Sequence, residues 1–154
     1  MSLQTSAHVC TKIATIRQRR QRVDTRRTPV GHAHTDVMKI QYLEIVTESP
    51  ESVDGVCAAY SAAHGVEFSD PEPGLGGART APLGDGGKIG VRGPLSDAET
   101  PIVRPYALVD DAAAAVDAAV AAGSTLLHEP LELPGHGTFA IVKTGGVEHG
   151  FWQM

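Results

Sequence analysis

The chain has 154 residues, of which 42% are apolar and 20% charged, as is typical of a globular protein rather than a disordered or fibrous one. No apolar run approaches the roughly 20 residues that a helix needs to cross a bilayer, so the sequence predicts no membrane association. The two cysteines, Cys10 and Cys57, lie in unlike surroundings, which favours a reducing cytoplasm over a disulfide-bonded exterior.

The charge is unevenly distributed along the chain. Residues 1–37 carry seven basic and two acidic side chains, about +5, so the total of −5 leaves about −10 on residues 38–154. We interpret residues 1–37 as a basic N-terminal extension, disordered or loosely ordered, that folding does not require. Such a stretch can also bind nucleic acid or direct targeting, but 17–27 contains no aromatic residue, which disfavours a nucleic-acid partner.

The first predicted elements are a strand, a helix and a second set of strands. Ile40–Val46 is a β-rich run, and Ser49 followed by Pro50 is typical of a helix start. Apolar residues then recur at helical spacing on one face until Gly65, namely Val53, Val56, Cys57 and Tyr60. After the helix we predict a strand at Val66–Phe68, a turn at Pro73 and Gly74, and a strand through Lys88 to Val91.

The last third of the chain repeats this order. Ile102–Val109 predicts a strand, and Asp110 or Asp111 can cap the Ala-rich helix that extends from Ala112 to Ala122. The strand segments that follow are Thr125–His128, Thr138–Val142 and Glu148–Trp152, separated by a Pro/Gly turn from Pro130 to Gly137 and by Gly145-Gly146. The sequence therefore predicts an α+β protein of two tandem βαβββ modules.

The motifs of the second module resemble those of a known superfamily. They comprise Val109-Asp110-Asp111 before an Ala-rich helix, Ala122-Gly123-Ser124 after it, a Pro-Gly-x-Gly turn, and a terminal Gly-Phe-Trp-Gln. Residues 38–154 are similar to the vicinal oxygen chelate superfamily of glyoxalase I, bleomycin resistance proteins and extradiol dioxygenases, and most similar to a poorly characterised group of small glyoxalase-like proteins. The resemblance implies a single domain, with module one at 38–95 and module two at 101–154. It also implies an open barrel-like cavity with the helices outside, and a homodimer.

Strand alternation predicts which side chains face this cavity. Leu43 and Ile45 suit the helix-covered face of the first strand, which turns Tyr42, Glu44 and Val46 inward. By the same argument the other inward residues are Arg104, Tyr106, Leu108, Lys88, Gly90, Arg92, Glu148, Gly150 and Trp152.

Metal-dependent members of the superfamily have His or Glu ligands at four inward positions. Carried over to this sequence, these positions are Tyr42, Gly90, Arg104 and Gly150. None is a good ligand for a divalent ion, and a guanidinium would repel one. We therefore predict no metal and no cofactor. A strand register shifted by one residue would instead leave a metal-dependent lyase or dioxygenase possible.

Glu44 is the candidate catalytic residue. A carboxylate facing a partly apolar cavity can act as a general base, for instance beside a carbonyl, but it can equally pair with Arg92 or Arg104 and hold the modules in register. The two arginines can anchor an anionic group or be paired to Glu44 and Glu148. Tyr42, Tyr106 and Trp152 can stack on a planar ligand or fill the core.

Two functions follow from these residues. The first is a small metal-independent, glyoxalase-like enzyme or binding protein acting on a carbonyl-bearing or anionic molecule, with Glu44 as base and Tyr42, Arg92, Arg104, Tyr106 and Trp152 binding the substrate. The second is a non-catalytic protein that sequesters a ligand, of the drug-resistance type, for which the acidic domain would suit a cation.

Overall fold

A computed structural model describes residues 37–154. All but the last residue of the predicted basic extension, 1–37, lies outside the described residues. Within the described residues no helix is long and apolar enough to cross a membrane.

Module one contains three strands and one helix. The elements are β1 (Ile40–Val46), α1 (Val53–His64), β2 (Arg79–Pro82) and β3 (Lys88–Arg92). A short 3-10 turn at Pro50–Ser52 leads into α1, as the Ser-Pro pair predicted. The helix ends where Gly65 adopts a left-handed conformation (φ 68°), which a residue without a Cβ accepts most easily.

The strand predicted at Val66–Phe68 is not formed. Val66 and Phe68 still pack against the apolar side of α1 together with Cys57, so their burial agrees with the pattern. The backbone of this segment, however, has no strand alongside it, and pairing begins only where the amide of Ser69 donates to the carbonyl of Thr80. Module one is therefore one strand shorter than module two.

Module two has the complete predicted order. Its elements are β4 (Ile102–Leu108), α2 (Ala112–Ala121), β5 (Thr125–Leu133), β6 (Gly137–Thr144) and β7 (Val147–Gln153). Asp111 is the N-cap, because its carboxylate accepts from the amide of Ala114 at 2.9 Å. Pro130 does not begin a turn as predicted. It lies within β5, the edge strand, inside the register shift between His128 and Leu131, where a missing N–H costs no ladder bond.

The seven strands form one open sheet in the order β2-β3-β1-β4-β7-β6-β5. The modules meet at its centre, where β1 and β4 pair antiparallel with Glu44 opposite Arg104 and Tyr42 opposite Tyr106. Each helix packs against the strands of its own module. Cys57 of α1 packs on Ile45 and Val91, and Val116 of α2 packs on Ala140. The predicted α+β architecture with helices outside is confirmed.

Candidate functional site

A cavity of about 400 Å³ lies on the face of the sheet opposite the helices. Its lining divides into three groups. The floor is charged (Glu44, Arg92, Glu99 and Arg104), the walls are aromatic (Tyr42, Tyr106, Phe139 and Trp152), and the mouth is mostly apolar (Leu75, Leu95, His128, Leu131, Leu133 and Ile141, with Gly74 and Gly76). A volume of this size accommodates a small organic molecule.

All six residues singled out from the sequence line this one cavity: Glu44, Tyr42, Arg92, Arg104, Tyr106 and Trp152. Alternation along β1 and β4 thus predicted their direction, while Leu43 and Ile45 point to α1. The other residues predicted to face inward do not line the cavity, namely Val46, Lys88, Gly90, Leu108, Glu148 and Gly150. Of these, Lys88 is exposed and Leu108 is 37% exposed. The structure fixes where the six side chains lie; their roles as base and substrate contacts remain predictions.

Glu44 is buried between two guanidinium groups and a phenol. Its Oε1 accepts from Arg92 Nε at 2.8 Å, and its Oε2 accepts from Arg104 Nη1 at 2.5 Å and from the Tyr106 hydroxyl at 2.9 Å. Only 6% of Glu44 is exposed. Both carboxylate oxygens are therefore already in charge-assisted hydrogen bonds, and Glu44 connects β3 of module one with β4 of module two.

Arg92 has a second carboxylate partner, which the sequence analysis did not identify. Its two Nη atoms donate to the two oxygens of Glu99 at 2.8 and 2.7 Å, a bidentate pair, and Nη1 also donates to the carbonyl of Gly93 at 3.0 Å. The Arg92 guanidinium holds the pKa of Glu99 below its usual range, against an opposing effect of burial. Burial by itself lowers the pKa of Arg92, but the bonds to Glu99 and Glu44 outweigh it and raise the pKa.

Arg104 is paired in the same way on the module-two side. Its Nη2 donates to Glu148 Oε2 at 2.7 Å and its Nε to the same atom at 3.2 Å. Burial alone lowers the pKa of Arg104, yet the bond to Glu148 and the neighbouring Tyr106 and Glu44 raise it overall. Within residues 37–154 no buried side-chain nitrogen or oxygen lacks a hydrogen-bond partner, so this floor is satisfied by the protein itself.

The aromatic walls are organised around Trp152. Its ring centroid lies 5.1 Å from that of Tyr42, 5.7 Å from Tyr106 and 6.2 Å from Phe139. The indole N–H donates to the carbonyl of His136 at 2.9 Å, which fixes the ring plane. Burial and, after it, the charge of Glu44 raise the pKa of both tyrosine phenols, so both remain neutral at physiological pH.

The four positions at which the resemblance predicted metal ligands, Tyr42, Gly90, Arg104 and Gly150, carry residues that do not suit a metal ion. The Tyr42 ring covers Gly90 and the Tyr106 ring covers Gly150, so closely that a side chain at either glycine would overlap the phenol ring. The remaining position, Arg104, is bonded to two carboxylates. Over residues 37–154 no three His, Cys, Asp or Glu side chains converge in a way that could hold a metal ion.

Several cavity residues were not identified from the sequence. Glu99 lies in the connection between the modules, where no strand alternation indicates its direction, and Phe139 and His128 belong to β6 and β5, whose inward faces were not assigned. His128 stacks on Phe139 with centroids 4.9 Å apart. His136, in the turn before β6, lies outside the cavity lining and packs on Gly74.

No protein-family model matches the chain. No curated protein matches its sequence. Solved structures do resemble it. A hypothetical protein from Bacillus halodurans superposes with a TM-score of 0.60 at 16% identity, over 76% of this chain and 94% of its own. Methylmalonyl-CoA epimerase from Mycobacterium tuberculosis superposes with a TM-score of 0.55 at 18% identity, over 74% of this chain and 86% of its own. 4-Hydroxymandelate synthase from Streptomyces coelicolor superposes with a TM-score of 0.57 at 13% identity, over 75% of this chain and 48% of its own. At such identities the likeness establishes the fold alone, and it confirms the predicted fold.

Proposed function

We propose that this chain, which has the vicinal oxygen chelate fold, is a metal-independent binding protein of the glyoxalase and bleomycin-resistance type that sequesters a small planar organic molecule. One observation carries the proposal. The charged floor of the cavity satisfies its own hydrogen bonds, whereas the aromatic side chains packed around Trp152 give the cavity an aromatic lining against which a planar ligand can lie. The proposed ligand therefore binds by stacking, with the floor closing the far end.

The surroundings of Glu44 favour binding over catalysis. A general base needs a lone pair directed at the substrate proton, and the oxygens of Glu44 already accept from Arg92, Arg104 and Tyr106. A substrate would have to displace one of these donors and leave it unpaired in a buried site, which is costly. The catalytic role of Glu44 therefore stays the weaker of the two predictions.

The charge of the floor determines which ligands we expect. Two guanidinium groups, Arg92 and Arg104, face three carboxylates, Glu44, Glu99 and Glu148, so the ionised cluster carries one net negative charge. An anion would meet this charge in a partly desolvated cavity, while a cation would be attracted both by it and by the aromatic faces. We therefore propose neutral or cationic planar ligands, and not the anionic ones that the arginines alone suggested.

The proposal also includes a cytoplasmic homodimer. Leu126 and Leu131 are exposed on β5, which pairs with no further strand among residues 37–154, and an apolar edge of this kind is suited to a second copy. The free, buried thiol of Cys57 is compatible with a reducing compartment. Light scattering on the purified chain would measure the oligomeric state directly.

Binding can be tested with three ligands of one shape and different charge. Calorimetric titration of the full chain with 2-naphthol, 2-naphthylmethylammonium and naphthalene-2-sulfonate should give saturable binding of the first two and at least about tenfold weaker binding of the sulfonate. Because the chain has one tryptophan, its single indole N–H resonance reports whether the ligand reaches Trp152. We expect that resonance to shift on titration.

A matched pair of variants separates the cavity from the rest of the surface. Phe139→Ala removes an aromatic wall and should weaken binding, whereas Phe151→Ala, on the same sheet but packed under α2, should not. Tightest binding of the sulfonate would overturn the charge argument. Loss of binding after treatment with a chelator, or one tightly held metal atom per chain by elemental analysis, would overturn metal independence.

A further inference from the structure

A second depression lies beside the aromatic cavity. It has a volume of about 310 Å³ and is bounded by the start of α1 and by the segments that follow β3 and precede β2. Its lining is largely apolar or bare backbone, with Pro50, Val53, Pro71 and Pro94 as the main side chains. The only charged residues among its described lining, Arg79 and Asp54, are bonded to each other at 2.5 Å.

The two spaces share a wall formed by Gly76 and Leu95, which line both. Gly76 contributes only backbone, and a Cβ placed there would lie 3.4 Å from both methyl groups of Leu95. The Leu95 side chain is therefore the partition. Its residue is 67% exposed, so the side chain can change rotamer without disturbing packed neighbours.

The backbone of Leu95 is fixed by a hydrogen bond, whereas its side chain is largely exposed. Its amide donates to Glu99 Oε2 at 2.8 Å, and the same carboxylate makes the bidentate pair with Arg92. The charged floor of the first cavity thus also sets where the partition stands. Because Leu95 and Gly76 line both spaces, a ligand that extended from the first cavity over Leu95 would reach the second depression.

We infer that the second depression is a subsite for a flexible aliphatic tail on the ligand, and that Leu95 determines which tails can pass. The inference rests on the proposed function, since it needs the planar head to be bound between the aromatic walls. The tail is apolar because most of the lining side chains, Pro50, Val53, Pro71, Pro94 and Leu95, are apolar and the two charged ones, Arg79 and Asp54, pair with each other. It is flexible because it must bend over a single side chain to reach the depression.

The test uses 2-alkoxynaphthalenes with tails from methoxy to hexyloxy, titrated calorimetrically into the full chain. In the unmodified protein, affinity should rise by about fourfold for each methylene that enters the depression. Leu95→Phe should abolish this rise when each longer compound is compared with the methoxy compound in the same variant. Leu95→Ala should keep the rise. Leu131→Phe is the control, because Leu131 is also exposed and lines only the first cavity.

The results distinguish failure of the tail subsite from failure of the proposed binding function. If the methoxy compound binds and longer tails add nothing, or add as much in Leu95→Phe as in the unmodified chain, the tail subsite is refuted and the proposed function stands. If Leu131→Phe removes the rise as Leu95→Phe does, the tail lies at the mouth and the subsite is again refuted. If no compound of the series binds, the proposed function itself fails, and the subsite with it.

Discussion

Glu44→Gln tests whether the buried charge network holds the two modules together. The amide keeps the size of the side chain but removes its charge, and its NH2 group can only donate, so it would face a guanidinium that also donates. Removing one partner of a buried ion pair typically costs 3–5 kcal/mol. Arg92 and Arg104 each retain another carboxylate, Glu99 and Glu148, so we expect the low end, about 3 kcal/mol.

Urea unfolding followed by Trp152 emission measures this loss. With a slope of about 2 kcal/mol per molar urea, a loss of about 3 kcal/mol lowers the midpoint by about 1.5 M. Glu148→Gln is the matched control, because Glu148 is less buried and binds Arg104 alone, and about 1 kcal/mol or about 0.5 M is expected. Equal midpoints for the two variants would refute the bridging role of Glu44. If turnover of any substrate is found, Glu44→Gln should abolish it and leave binding within about tenfold, as the catalytic alternative requires.

Two further predictions concern stability. Gly150→Ala should lower the free energy of unfolding by about 2 kcal/mol, because the added methyl would overlap the Tyr106 ring and the carbonyl of Ala140. Gly55→Ala is the control: it lies within α1 with open space around it and should stabilise the chain by about 0.5 kcal/mol. Equal denaturation midpoints for the two variants would show that the Tyr106 ring does not press on Gly150. Glu99→Gln should lower the free energy of unfolding less at acid pH than at neutral pH. The folded-state pKa of Glu99 is lowered, so its contribution is complete above the unfolded value of about 4.3 and is lost as the pH falls through the folded value. A difference in unfolding free energy that stays constant from about pH 7 to about pH 3 would contradict this assignment.

Local patterns in the sequence were sufficient for much of this fold. Two-residue alternation placed Tyr42 and Glu44 on the cavity side of β1 and Leu43 on the helix side, because the pleat leaves no other choice once α1 covers one face. The repeat of the modules predicted that in each a strand and a helix are followed by further strands. It did not predict the missing strand at Val66–Phe68. An apolar run indicates burial, but a strand also needs a partner of matching length, and β2 has only four residues.

The site was predicted in position but only partly in chemistry. That Arg92 and Arg104 face the cavity follows from periodicity, whereas their pairing depends on contacts far apart in sequence, such as Glu44 with Arg104, 60 residues away. Glu99 could not be found this way, since it lies outside any periodic element. Alternation gives the direction of a side chain; only the assembled sheet shows whether its charge is already neutralised.

The pairing of β1 with β4 also bears on how a chain with two similar halves assembles correctly. Each half carries a central strand that could associate with the same strand of another molecule. The repeat aligns Tyr42 with Arg104 and Glu44 with Tyr106. If β1 paired with a second copy of β1 in this register, Glu44 would lie opposite Tyr42. If β4 paired with a second copy of β4, Arg104 would lie opposite Tyr106. Only the mixed pairing places Glu44 opposite Arg104. In a mismatched pairing Glu44 would keep only Arg92 and Arg104 only Glu148, so the loss of the Glu44–Arg104 bond favours association of each half with the other.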